Sequence, residues 1–201
     1  TFDDGFADNE RVALPLLREY GMAPMVFVLP SLLDDGSPLA WPEVVERQRA
    51  HPNVMRSMDW QAVERMAEAG AEIGSHGLSH RSMIGLDGEA LREELVDSRR
   101  SVRDRFGRCD ALAYPFGHWN PEVARAAADA GYAFAFSVPS NGQPPAGAHA
   151  IPRVPVDHRD HGARFRAKLT AAGRRVLLSP MMPVTRALAQ RARRPRRAVR
   201  R

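Results

Sequence analysis

Cysteine is almost absent from this sequence: Cys109 stands alone, which excludes an intramolecular disulfide and favours a small, buried, apolar role for its thiol. No apolar run approaches the roughly 20 residues a membrane-spanning helix requires, and no signal peptide is visible. The chain opens at Thr1, without methionine, inside what reads as a strand. The expectation is therefore a truncated N-terminus, which leaves the cytoplasm and the cell envelope both open as compartments. No internal repeat is present. Acidic residues are missing from the last stretch, where Arg186, Arg191, Arg193, Arg194, Arg196, Arg197, Arg200 and Arg201 follow one another with no counter-charge. Subtracting those eight from the formal +5 leaves −3, so the high pI describes an appendage to a mildly acidic body. No aromatic lies between Arg186 and Arg201 for base stacking, which argues against specific nucleic-acid binding and for a solvated tail.

What is present is an alternation. Apolar runs at Met25–Leu29, Ala71–Gly74, Asp110–Tyr114, Ala133–Ser137 and Ile151–Val156, with the end of a further strand at Thr1–Asp4, are separated by helical patterns. The helices are expected from Asp8 or Asn9 to Tyr20, with Pro15 inside, then near Glu43–Arg49, and from a Ser57 cap to Ala69. Others are expected over Glu89–Phe106, from Asn120–Pro121 to Gly131, and over Ala163–Ala171. Six strands alternating with helices imply a parallel sheet with right-handed crossovers, which a barrel or an open sheet would both satisfy, though six are fewer than a full eight-fold barrel requires. Residues 1–178 are read as one domain and 179–201 as the Arg-rich tail.

Chemistry concentrates in two places. In Gly74-Ser75-His76-Gly77-Leu78-Ser79-His80 two imidazoles four residues apart can reach one divalent ion, and a distant carboxylate completes a three-ligand face with positions left for water. The pair alone is weak, because this spacing also arises on solvated helices. Its position at the carboxyl end of a predicted parallel strand, the catalytic edge of such sheets, strengthens it. The second place is Thr1-Phe2-Asp3-Asp4-Gly5. Adjacent carboxylates on a regular strand face opposite ways, so Asp3 and Asp4 share a site only if the strand ends there, which Gly5 permits. Two solvated carboxylates before a turn is the plain alternative.

These two motifs, with Ala113-Tyr114-Pro115-Phe116-Gly117 after them in order, resemble the first three motifs of the polysaccharide deacetylases, the carbohydrate esterases that share the NodB homology domain. The resemblance runs from Thr1 to about Arg153. It implies a distorted, incomplete (β/α) barrel and a metal-dependent hydrolase that removes N-acetyl groups from an amino-sugar glycan or glycolipid. It also implies Asp4, His76 and His80 as metal ligands, Asp3 as general base, and the Phe116 backbone N–H as oxyanion donor. Tyr114, Pro115 and Gly117 become substrate-binding positions, with packing as the alternative for Tyr114 and for the Phe116 side chain. Zinc is the first expectation, with cobalt, nickel or manganese compatible with the same donors.

The chain also departs from the family pattern. Ala113 stands where many members carry an arginine that orients the base, and Arg153, in Ile-Pro-Arg-Val-Pro, is the candidate replacement, weighed evenly against a surface arginine. The later Asp-Ser-x-Asp-Trp motif is missing from Ser137–Gly142. No Leu-x-His motif, the usual source of the general acid, follows Val156, and His158 and His161 read as loop residues. Two other functions stay open: a deacylase of small non-sugar amides on the same fold, and an impaired fragment whose arginine tail binds polyanions.

Overall fold

The structure is a computed structural model that describes residues 1–34, 36–39, 41, 44–52, 55–138 and 147–178. The expected tail, Glu43 and the stretch after Val138 through Gly142 lie outside the described residues. Five parallel strands follow in sequence order across one sheet: β1 (Met25–Val28), β2 (Glu72–Ser75), β3 (Ala111–Ala113), β4 (Phe134–Ser137) and β5 (Ile151–Pro152). Their register pairs Val26 with Ile73, Ser75 with Leu112, Leu112 with Ala135, and Phe136 with Ile151. The expected opening strand contributes only a bridge, in which the Phe2 N–H donates to Met25 O and Phe2 O accepts from the Phe27 N–H, at 2.9 and 2.8 Å.

The connections up to β4 carry helix: α1 (Leu14–Glu19) before β1, α2 (Val45–Ala50) and α3 (Trp60–Glu68) before β2, α4 (Gly88–Arg92) with α5 (Ser98–Phe106) before β3, and α6 (Pro121–Asp129) before β4. The chain then ends in α7 (Gly162–Leu169) and α8 (Ala171–Leu177). Three helix boundaries differ from expectation. Asp59, not Ser57, caps α3, accepting from the Ala62 N–H at 2.8 Å, while Ser57 is buried and donates to Met58 O. Neither Asp8 nor Asn9 makes a capping bond, and a π turn over Asn9–Ala13 precedes α1. Pro15 lacks the N–H that Arg11 O would receive and its ring crowds that carbonyl, so a widened turn just before it relieves both. The last helix runs on past Ala171, broken at Thr170, which caps α8 through Gly173 N–H.

Side chains alternate along the strands between two cores. Val26, Val28 and Leu112 face the helices with Val63, Met66, Leu95 and Val102. Phe27, Ala111 and Ala113, with Met25 and Phe136, fill the concave side. Each fully buried large side chain contributes about 1.5–3 kcal/mol. Gly74 belongs to this inner layer: a Cβ there would sit 2.7 Å from the Phe27 ring, so its place inside β2 makes room for Phe27 rather than for a turn.

The sheet curls without closing into a ladder. Arg153, the residue after β5, instead reaches the other edge and donates to Thr1 Oγ1 at 3.1 Å and to both Asp3 oxygens. This is an incomplete β/α barrel whose seam is bridged by a guanidinium. No helix among the described residues is long and apolar enough to cross a membrane.

Candidate metal centre

The bridge at Phe2 ends the first strand at once, because Asp4 and Gly5 both take left-handed backbone, with φ of 72° and 66°. That reversal brings two adjacent carboxylates to the same edge of the sheet. Asp4 Oδ1 lies 3.3 Å from His76 Nε2 and 3.3 Å from His80 Nε2, and the three ligand atoms fall within 4.8 Å of one another. His76 follows β2 directly and its ring nitrogen Nδ1 meets Ala113 O at 2.8 Å. As a donor to that carbonyl, Nδ1 leaves the Nε2 lone pair facing Asp4, the arrangement typical of a metal-binding histidine. Asp4 Oδ1 is itself buried and has no hydrogen-bond donor among the described residues. An oxygen and two ring nitrogens turned toward one another repel unless a proton or a cation lies between them, so the donor set fits a divalent ion of the zinc type.

Electrostatics agree with that geometry. Burial opposes charge on His76, but the Asp4 contact, the Asp3 and Asp4 charges and the Ala113 carbonyl outweigh it and raise its pKa above the ordinary histidine value. Asp3 sits beside this cluster. Burial works to raise its pKa, but the hydrogen bonds from Arg153, with positive charge at His76 and Arg153, hold it below the usual carboxylate range. The pair is bidentate, at 2.8 and 2.7 Å, and the Arg153 guanidinium carbon lies 5.0 Å above the Phe27 ring centre.

Backbone strain gathers here as well. Among the described residues only Asp4, His80 and Phe116 are non-glycine residues with positive φ, at 72°, 64° and 58°. Each such conformation costs about 1–3 kcal/mol and persists only where surroundings enforce it. Phe116 turns its ring to 4.5 Å from that of His80, with His118 5.5 Å beyond it, while Trp41 stacks against His80 at 4.0 Å. Tyr114 is fully buried and donates its hydroxyl hydrogen to His149 O at 2.8 Å; Pro115 and Gly117 are buried with it. A Cβ on Gly117 would lie 2.1 Å from a Val138 methyl. This placement fits the packing alternative for Tyr114. His158 and His161 are exposed, and Cys109 is buried, its thiol pKa pushed up to about 12 by that burial.

The polysaccharide deacetylase family model matches residues 1–135, two-thirds of the sequence. The chain belongs to the polysaccharide deacetylase family. Among its polysaccharide deacetylase relatives, the protein YxkH of Bacillus subtilis (strain 168) is 28% identical over 169 residues, 83% of this chain and 54% of YxkH. The chain thus spans about half the length of that relative. The deacetylase PplD of Streptococcus pyogenes, solved with acetate, superposes with a TM-score of 0.67 at 18% identity, over 84% of this chain and 68% of PplD. The BpsB deacetylase domain of Bordetella bronchiseptica gives 0.62 at 22% identity, over 78% and 69%. At these identities the two structures establish the shared deacetylase fold.

Sequence reasoning passed over Trp41, His118 and Glu94. Trp41 and His118 carry no spacing signal. Glu94 did have one: it is a carboxylate between Leu91, Leu95 and Ser98 on the buried side of its helix.

Proposed function

We propose that this chain is a metal-dependent hydrolase that removes acetyl from N-acetylated amino-sugar residues of a glycan. The observation that carries the reading is the meeting of Asp4, His76 and His80 beside an Asp3 already clamped by Arg153. Those three residues would hold the ion, which supplies Lewis acidity and a more acidic water when bound. Asp3 takes the proton from the attacking water, and the pairing with Arg153 keeps it ionised and aimed. The Phe116 N–H, presented by its left-handed turn, donates to the oxygen that gains charge as the water oxygen bonds to the acetyl carbon. The C–N bond then breaks as the proton Asp3 removed passes to the departing nitrogen, giving acetic acid and the free amine, which at neutral pH are acetate and the ammonium form.

The aromatic rim of Trp41 and Phe116 suits the apolar face of a sugar ring better than a small charged amide, which favours a glycan over a non-sugar substrate. The test is acetate release from N-acetylglucosamine oligomers by the zinc-loaded chain, with and without chelator. Acetate that stops on chelation and in His76→Ala is the expected result. Undiminished acetate in that variant overturns the metal mechanism.

A further inference from the structure

The helix that follows the two imidazoles changes pitch once, between α4 and α5, where Glu93–Asp97 form a π turn. Such turns leave carbonyls without their ordinary helical partners and gather at functional sites. Here hydroxyls serve them: Ser98 Oγ donates to Glu94 O at 2.5 Å and Tyr132 Oη donates to Leu95 O at 3.0 Å. Ser98 Oγ in turn accepts from Ser75 Oγ at 2.9 Å, and Ser75 Oγ accepts from the Gly77 N–H at 3.1 Å. The π turn and the imidazole-bearing loop are therefore tied through one buried polar network.

Glu94 lies at its centre and is only 1% exposed. Its Oε2 accepts from the Leu78 and Ser79 N–H groups at 2.7 and 3.1 Å, and its Oε1 accepts from the Ser79 hydroxyl. Gly77 lies against the same carboxylate: with φ of 82°, a Cβ there would come within 2.9 Å of Oε2. All three residues between His76 and His80 are thus fitted to this side chain. A buried carboxylate that spends its acceptors on one short loop is expensive to desolvate, and no apolar packing requirement explains it.

We infer that Glu94 is a positioning residue for the metal centre: it fixes the Gly77–Ser79 segment, and with it the left-handed His80, so that both Nε2 atoms meet Asp4 before any ion arrives. The inference rests on the metal reading above. Removing the carboxylate leaves two backbone N–H groups and a hydroxyl buried without an acceptor, and the strained His80 relaxes. Loss of such outer partners typically weakens metal binding by about 10–100-fold.

The test measures Co²⁺ affinity by competition with a chelating dye, the Co²⁺ absorption spectrum, and the melting midpoint of the metal-free protein, with binding read well below that midpoint. Glu94→Ala is expected to bind Co²⁺ about 10–100-fold more weakly, with an altered spectrum. Glu94→Gln keeps an acceptor for the two amides and can donate to the Ser79 hydroxyl, so it is expected to restore most of the affinity. Wild-type affinity and spectrum in Glu94→Ala, even with a lower midpoint, overturn the inference and leave Glu94 a purely structural residue. If Glu94→Ala does not fold, Glu94→Asp, one methylene too short to reach the loop, is read the same way. A wild-type chain that binds neither Co²⁺ nor Zn²⁺ removes the metal reading itself, whereas binding that is indifferent to Glu94 removes only this inference.

Discussion

The strand ends that gather residues 2–5, 74–80 and 113–118 and the C-terminal segment 147–178 are built on opposite principles. The first is apolar underneath and strained on top: α3 buries Ala62, Val63 and Met66, and the three non-glycine left-handed residues all sit above that core. The second buries little. Lys168 is the one buried residue of α7, α8 has none, and Phe165, Leu169 and Val176 are exposed. Its fixing is polar: Asp160 accepts from Arg164 at 2.7 Å and from Lys168, while Lys168 also donates to Pro155 O at 2.6 Å. A region that keeps three left-handed non-glycine residues in place needs a rigid foundation to sustain its strain. A region that needs only to stay attached does not. Arg153 is where the two meet, since it leaves β5 and grips Asp3 across the barrel seam.

The largest effect should come from the strained region. On the proposed reading His76→Ala removes one of three ligands, so metal retention on dialysis and acetate release are both expected to fall to background. Asp3→Asn should separate the roles, retaining metal while losing about 10²–10⁴-fold in kcat. Equal metal loss in the two variants would mean that Asp3 is a ligand and that the division of labour between the acids is wrong.

Arg153 tests whether the C-terminal segment matters to the chemistry at all. Arg153→Met keeps an unbranched apolar stem but drops the guanidinium that lies over Phe27 and grips Asp3, and on the proposed mechanism a misplaced base costs about 10²-fold in kcat. Arg153→Lys is expected to rescue little, because an ammonium cannot match a carboxylate with two parallel bonds. An unchanged kcat in Arg153→Met, read with metal content, would return Arg153 to a seam-closing role alone.

How much of this was readable beforehand follows the same divide. The carboxyl-edge motifs are local: Asp-Asp-Gly, His-Gly-Leu-Ser-His and Tyr-Pro-Phe-Gly each declare a turn and a donor within a few residues, and the sheet delivers them to one edge. The parallel order and the barrel type were legible for that reason. What escaped depends on partners far away in sequence. Whether Arg153 faces Asp3 or solvent is decided by how far the sheet curls, across 150 residues. Glu94 looked like one more charge on a helix, because the amides it serves, those of Leu78 and Ser79, belong to a loop 16 and 15 residues before it. Ser57 reads as the cap in sequence, but its hydroxyl is drawn into the Met58 carbonyl and Asp59 caps α3 instead.

The polar fixing of the C-terminal segment predicts an acid-sensitive step. The hydrogen bonds from Lys168, the Asp157 N–H and Arg164 hold the Asp160 pKa at about 2, below its ordinary 3.8. A depressed carboxylate pKa contributes stability that is present above the unfolded value and is lost as pH falls through the folded one. Asp160→Asn should therefore exchange its α7 amides faster than wild type at pH 6, and the difference should vanish near pH 2. A difference that persists unchanged at that acidity would mean that the charge on Asp160 is not what fastens α7.

The smallest effect gives the sharpest contrast, because it applies the same substitution chemistry to both regions. Asp59 caps α3 through the Ala62 N–H, and Thr170 caps α8 through the Gly173 N–H, at 2.8 and 2.9 Å. Either cap changed to Ala should cost its helix about 1 kcal/mol. Because α3 is rooted in the main core, Asp59→Ala should lower the global melting midpoint by a few degrees. Because α8 packs chiefly against α7 and buries nothing, Thr170→Ala should leave that midpoint in place and speed amide exchange only over residues 171–177. A matching drop in midpoint for both variants would show that the terminal helices unfold together with the barrel, and the distinction drawn between a rigid foundation and a loosely tied end would have to be given up.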